Sequence, residues 1–563
     1  MGLIERRIAL LLFLFLGLLA LATVRTAYLG AIRAPSLQRA ATSQQVRVTT
    51  VPAPRGTITD RHGTELAVSE PADDVTANPR LIRQPLAVSR RLSPLLAQAP
   101  DSLVRKLADR RRGFVYLARR MPSTQARVIG ALKVEGIDLA PGTRRVYPQG
   151  WRASQLLGFV GVDGHGLAGL EYSLDRQLRG RDGKRRVVDD ALGQPISLRD
   201  EQAMRPGEGV RLTIDAAIQD RTETVLADVG QRFAPRGATA LVMDPRTGAL
   251  LAVANWPRVD GNAPGAAPDY ANQDRAVAAA YEPGSTFKPF TVAGALEAGL
   301  VTPQTGFDLA PQIQVADRTI GEAHDRGGET LTTAQILAQS SNVGAVTIGL
   351  RLGAQRFDSW VRRFGFGRAT GVDVPGEASG IVPRLDRYSG SSMGNLPIGQ
   401  GLAVTPLQMA SAYAAIANGG ILHQPHVVAR IGRHAPRAPP GHRIISAATA
   451  ASLRQMLEGV LEPGGTASEV SIPGYKLAGK TGTANKPDPA TGQYSQTRYV
   501  ASFVGFAPAG SPRLLVAVMV DEPQGEVSGG AVAAPAFEKI MAFALPYLRI
   551  APDDPGAGAP RTG

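Results

Sequence analysis

The chain is predicted to be an α+β protein: an antiparallel sheet flanked by helices, preceded by an extended, β-rich N-terminal module and one apolar span. Three observations carry this. Apolar β segments lie at 238–243 and 249–254 and again near 475–485, 498–507 and 513–521, with helical spacing between the two groups. Glycine and proline punctuate the stretch from Pro54 to Glu171, marking turns in a mostly extended module. Residues 8–24 form a run of 17 positions without a charge. A length of 563 residues leads to an expectation of two or three domains.

The apolar run from Ile8 to Val24 sits between Arg6-Arg7 and Arg25. At ~1.5 Å per residue it reaches roughly 25 Å, the short end of a membrane span. Ala20-Leu21-Ala22 is compatible with a cleavage site. The run exceeds the usual h-region of about 7–15 residues, so an uncleaved anchor over 8–24 is the preferred reading, and the flanking charges do not settle on which side residues 1–7 lie. A polar stretch follows to about Thr50. Arg61-His62-Gly63 then reads as a tight turn between two short β segments, with Gly63 supplying a positive φ. Residues 80–135 have helical spacing, as in Val104, Leu107 and Ala108.

Asp215 is placed to cap a helix running to about Val229. Asp244-Pro245-Arg246-Thr247-Gly248 joins the first two β segments as a hairpin. A loop rich in Ala, Gly and Pro covers 261–272. Helices are expected over 285–298, 331–339, 341–352, 405–418 and 534–548, and a disordered Pro/Gly-rich tail over 551–563.

The formal charge is +14, carried by the N-terminal third: residues 25–200 hold 29 Lys and Arg against 16 Asp and Glu, whereas 201–563 hold 31 of each. The positives are not interleaved with aromatics and no nucleic-acid motif is present, so nucleic acid is not an expected partner. A membrane or anionic envelope surface is one reading, and a solvated Arg-rich face is the other. There is no cysteine, and of the seven histidines only His423 and His426 lie close together, so no disulfide and no metal site are expected.

Three strings carry chemistry. In Tyr281-Glu282-Pro283-Gly284-Ser285-Thr286-Phe287-Lys288-Pro289, Lys288 lies three residues after Ser285, on one face of a helix. A serine hydroxyl needs a base beside it. A lysine serves if burial and a second cation destabilise its ammonium, and Lys480 is the expected second cation. Ser340-Ser341-Asn342 sits between two helical stretches. The Ser340 hydroxyl can relay a proton from Lys288 to a leaving amine, and the Asn342 amide can hold a substrate carbonyl. Lys480-Thr481-Gly482-Thr483 lies on a predicted strand. Here Gly482 leaves room for a substrate backbone, and Lys480 with the hydroxyls of Thr481 and Thr483 can bind a carboxylate. The N–H groups of Ser285 and Thr483 are candidates for an oxyanion hole. Each string alone is common; the three in order are specific.

With these strings the chain resembles a class B penicillin-binding protein, a monofunctional peptidoglycan D,D-transpeptidase, and the resemblance covers nearly the whole length. Arg55–Ala67 and Arg145–Glu171 resemble the N-terminal motifs that pack a pedestal domain against the catalytic one. The resemblance implies a pedestal at 45–205 and a transpeptidase domain at 210–548. It implies Ser285 as the acylated nucleophile, Lys288 as its general base, Ser340 and Asn342 as the second motif, and Lys480, Thr481, Gly482 and Thr483 as the third. It implies peptidoglycan stem peptides, a lipid-linked precursor and β-lactams as ligands. It also implies a membrane-embedded glycosyltransferase and other divisome proteins as partners, no cofactor, and a catalytic domain outside the cytoplasmic membrane. Glu282 and the compact membrane-proximal segment resemble the septal, cell-division type, with the elongation type as alternative. Division-type relatives carry tyrosines before the Gly-Gly that here follows Val527-Ser528. A D,D-carboxypeptidase or a serine β-lactamase would share the three strings. No E-x-x-L-N string for deacylation lies between the second and third.

Overall fold

The computed structural model describes residues 2–33, 46–189, 195–323, 327–436, 439–488 and 490–554. The tail expected from 551 lies, beyond Asp554, outside the described residues, as do residues 34–45 of the polar stretch before Thr50. The chain divides into two compact units. One holds 1–54, 71–143 and 180–206, and the other holds 55–70, 144–179 and 207–563.

The first unit begins with the helix Leu3–Ala27. Residues Ile4–Ala31 are long and apolar enough to cross a membrane, seven residues further than the uncharged run reaches. Val46–Val51, Gly183–Asp189 and Pro195–Gln202 form a three-stranded antiparallel sheet. A separate core of Val75, Leu92, Leu103, Leu107, Leu117 and Ile129 is built from the helices Pro85–Leu96, Pro100–Ala108 and Ser123–Ala131 and the strand Val115–Pro122. That strand corrects the helical reading of 80–135. Val115 and Leu117 face the core and Tyr116 faces out, the period-2 alternation of a half-buried strand, and residues 72–77 pair with it. Pairing across the chain outweighs the weak local preference for helix.

The second unit is built on a five-stranded antiparallel sheet: β1 (Gly237–Met243), β2 (Leu250–Trp256), β3 (Ala478–Pro487), β4 (Tyr494–Ala507) and β5 (Leu514–Asp521), in the order β2-β1-β5-β4-β3. Every residue of β1 is buried, so both sheet faces are covered. Helices α1 (Ala216–Phe233) and α7 (Ala534–Tyr547) pack on each other and on the strands. The helices between β2 and β3 include α2 (Lys288–Glu297), α3 (Thr333–Ala338), α4 (Asn342–Leu352), α5 (Pro406–Ala417) and α6 (Ala447–Glu458). Asp215 caps α1, accepting from the N–H groups of Ala217 and Ile218. The helix runs to Phe233, four residues past the expected end. α5 is buried at all positions and starts with a reciprocal Thr405–Gln408 cap.

The Gly-rich stretch 145–171 is less extended than expected. It contains the short helices Ser154–Leu157 and Gly169–Ser173, followed by Asp175–Leu178. Their reason is a buried charge cluster. The Arg55 guanidinium donates to Glu171 (2.5 Å) and Asp175 (2.6 Å), and Arg145 donates to the other Glu171 oxygen (2.6 Å). The Glu171 side chain is fully buried. Close helical turns bring these groups to one point, which extended chain does not.

Glu223 on α1 is also buried. Its Oε1 accepts from Ala153 N–H and from the Gln219 amide, both at 2.7 Å. Burial outweighs these bonds and pushes its carboxyl up to about 7 from an ordinary 4.5. The folded form therefore holds a proton that the unfolded form has already lost. The stability this contributes is complete below about pH 4.5 and is lost as pH rises through about 7, amounting to up to about 3 kcal/mol. Glu223→Gln cannot titrate, so the difference in Tm between wild type and variant is expected to change between about pH 4.5 and 7 and to level off above that. Parallel curves would refute the shift.

Candidate active site

Pro283-Gly284 leads into a 3₁₀ turn, Gly284–Phe287, and α2 follows from Lys288. Ser285 thus sits in the turn before the helix rather than inside it. Gly284 has φ +55°, and its N–H donates to Gly399 O (3.0 Å). Behind the turn, Phe287 and Phe290 pack edge-on at 5.4 Å within a cluster that includes Phe364, Phe366 and Tyr413. The Tyr413 hydroxyl donates to Thr286 O (2.7 Å), and the Thr286 hydroxyl donates to Pro283 O (2.7 Å). The serine is therefore carried on a turn locked from its apolar side, and Ser285 itself is half-buried.

Lys288 is fully buried. Its Nζ donates to Ser340 O (2.5 Å), Ser340 Oγ (3.2 Å) and Asn342 Oδ1 (2.8 Å). The first and second strings are thereby joined at one ammonium. Ser340 adopts φ +61°, in the left-handed region, which turns both its carbonyl and its hydroxyl to Lys288. The Asn342 amide is more occupied than expected. Its oxygen serves Lys288 and its nitrogen donates to Gly321 O (3.0 Å), which leaves one N–H for any further acceptor.

Lys480 is also fully buried, on the edge strand β3. Burial first, and the charge on Lys288 second, hold its ammonium well below the ordinary lysine range. Its Nζ reaches Thr481 O and Thr481 Oγ1, each at 3.3 Å, and the Thr481 hydroxyl also meets Thr466 Oγ1 at 2.6 Å. Of the four residues in the third string only Thr483 is exposed, and its hydroxyl accepts from Gly529 N–H (3.0 Å). The loop after Val527-Ser528 therefore touches this string through backbone.

Gly482 has a reason within the protein itself. A Cβ there would lie 2.4 Å from Ser502 Oγ and 2.9 Å from both Pro283 O and Thr286 Cγ2. The close approach is made by the protein's own Ser285 turn against the strand. Gly482→Ala is expected to push the two apart, costing about 1–3 kcal/mol and slowing acylation by β-lactams at least tenfold. Wild-type acylation rates in the folded variant would refute this.

The sequence reading missed two groups. Thr466 and Glu322 both meet the strings directly, and neither carries a local pattern. Glu322 accepts from Ser341 Oγ (2.5 Å), Asn342 N–H (2.7 Å) and Val343 N–H (3.2 Å). Among the described residues no group of His, Cys, Asp and Glu is arranged to hold a metal.

An edge strand bearing K-T-G, packed on an S-x-x-K turn and set in a five-stranded antiparallel sheet, defines a serine transpeptidase-like fold. Known proteins agree. The family described as "Penicillin binding protein transpeptidase domain" matches residues 238–542, and "Penicillin-binding Protein dimerisation domain" matches 50–212. The "Probable peptidoglycan D,D-transpeptidase PenA" of Neisseria meningitidis is 34% identical over 551 residues, 96% of this chain and 92% of its own. The "Peptidoglycan D,D-transpeptidase FtsI" of Escherichia coli is 34% identical over 560 residues, 98% and 93% of the two chains. The crystal structure of penicillin-binding protein 3 of Mycobacterium tuberculosis, complexed with aztreonam, superposes with a TM-score of 0.71 at 30% identity, covering 90% of this chain and 98% of that one. The chain belongs to the class B penicillin-binding proteins and is a peptidoglycan D,D-transpeptidase.

Proposed function

We propose that the enzyme cross-links stem peptides through an acyl-enzyme on Ser285. The carrying observation is the convergence of Ser340 and Asn342 on the fully buried Lys288 amine, three residues after Ser285. Ser285 Oγ attacks the carbonyl of the penultimate D-alanine as neutral Lys288 takes its proton. The bond to the terminal D-alanine breaks, and Lys288 and Ser340 deliver the proton to the departing amine. An amine of a second stem peptide then attacks the ester, the Oγ–acyl bond breaks, and the proton returns to Ser285. Asn342 orients the peptide, and Lys480, Thr481 and Thr483 hold its carboxylate end, with Gly482 bringing the strand against the turn. The N–H groups of Ser285 and Thr483 receive the oxyanion. β-Lactams acylate the same oxygen.

The Ile4–Ala31 helix supports a single-pass anchor in the cytoplasmic membrane. In this reading a pedestal at 45–205 carries the transpeptidase domain at 210–548 on the periplasmic side, beside a membrane-embedded glycosyltransferase that supplies lipid-linked precursor. Glu282 before Pro-Gly favours the septal role, with other divisome proteins as partners. A labelled penicillin is expected on the tryptic peptide containing Ser285, and a fluorescent fusion at midcell. An adduct elsewhere rejects the site, and a side-wall pattern rejects the septal role.

A further inference from the structure

The second string is held from outside itself. The hairpin of Gln312–Val315 and Arg318–Gly321 ends beside the N-terminus of α4. From there Gly321 O accepts from the Asn342 amide (3.0 Å), and the Glu322 carboxylate gathers three donors in a row, Ser341 Oγ and the N–H groups of Asn342 and Val343. Ser341 Oγ in turn accepts from Gly344 N–H (2.9 Å). The residue between them and Lys288 is Ser340, in a backbone conformation that costs a non-glycine residue about 1–2 kcal/mol. Such a conformation persists where its surroundings over-determine it. Glu322 supplies that constraint: it pins the residues immediately after Ser340, and three acceptors for one amine are thereby set at 2.5, 3.2 and 2.8 Å.

We propose that Glu322 is a positioning residue for the transpeptidase reaction, holding the Ser340–Asn342 turn so that Ser340 and Asn342 converge on Lys288. This rests on the reading of Ser285 and Lys288 as nucleophile and base. A carboxylate suits the place because it accepts several N–H and O–H bonds at once and because negative charge is favoured at a helix N-terminus.

Among the described residues the charged groups near the amine include Lys480 from β3 and Glu322 beyond Asn342, and removing Glu322 takes away a negative charge. The loss of a negative charge and the loosening of the acceptors both disfavour the ammonium. The acid limb of the pH profile for acylation should therefore move to lower pH even as the rate falls.

The experiment compares acylation of the full-length protein by a fluorescent penicillin for wild type, Glu322→Gln and Glu322→Asp, from pH 5 to 9, with Tm measured on each. Expected is a loss of at least tenfold in the second-order acylation constant for Glu322→Gln, with the acid limb displaced downward, and recovery of rate and of midpoint in Glu322→Asp. A Glu322→Gln rate and midpoint matching wild type overturn the proposal. So does a slowed variant whose midpoint is unmoved and which aspartate does not rescue, because a purely structural role has that outcome. If Glu322→Gln gives no cooperative melt, Glu322→Asp decides alone: a folded aspartate variant with wild-type midpoint supports the proposal, and one with a displaced midpoint overturns it. Failure of the wild-type protein to label on Ser285 would instead reject the underlying reading.

Discussion

Ser285→Ala is expected to abolish covalent labelling by penicillin, lowering the acylation rate by at least about 10⁴-fold while Tm stays within a few degrees of wild type. The size follows from the kind of group removed. Serine enzymes that lose the nucleophile keep only what binding and oxyanion stabilisation provide, and the remaining members of the unit then add almost nothing. The small effect on folding follows from the surroundings. Ser285 is half-buried, and the turn that carries it is tied down by Tyr413 to Thr286 O and by the Thr286 hydroxyl to Pro283 O, bonds that the substitution leaves intact. Mass spectrometry of the intact protein after incubation with excess penicillin measures the outcome. A full adduct on the variant would mean that another oxygen is the acceptor, and the assignment of all three strings would fall with it.

The largest expected effect on stability is at Glu171. Glu171→Ala leaves the guanidinium groups of Arg55 and Arg145 buried without their shared carboxylate. Breaking one partner of a buried ionic group costs about 3–5 kcal/mol, because the remaining charge has neither water nor a counter-ion. Asp175 compensates only in part. It pairs with Arg55, His165 and Arg179, is partly exposed, and, against the opposing effect of burial, is already held below the usual carboxylate range by Gly166 N–H and Arg55. Denaturant unfolding should show a fall of this size. A variant within 1 kcal/mol of wild type would mean that water reaches the cluster and that its burial contributes little.

The fold was legible where local pattern and global packing agree. The hairpin of β1 and β2 announced itself by two apolar runs about an Asp-Pro-Arg-Thr-Gly turn, and α4 and α5 by their spacing. Agreement failed where a segment's structure depends on a distant partner. Val115–Pro122 carries Arg119 and Arg120 among apolar residues, a mixture that local rules assign to helix, and only pairing with residues 72–77 makes it a strand. The helices at Ala354–Arg363 and Ala447–Glu458 were not anticipated either.

The chemical identity of the site needed no tertiary structure. Ser285 and Lys288, proposed as nucleophile and base, lie three residues apart, so the chain itself keeps them near each other, and the ordered S-x-x-K, S-x-N and K-T-G strings name the remaining proposed groups. Tertiary structure alone decided how those groups are held. That Gly482 yields to the Ser285 turn, that Asn342 spends its amide on Lys288 and Gly321, and that Glu322 grips the second string are contacts between segments 19 to nearly 200 residues apart. No periodicity encodes such contacts, because they arise only once burial of the sheet's two faces has brought the strand, the turn and the hairpin to one place.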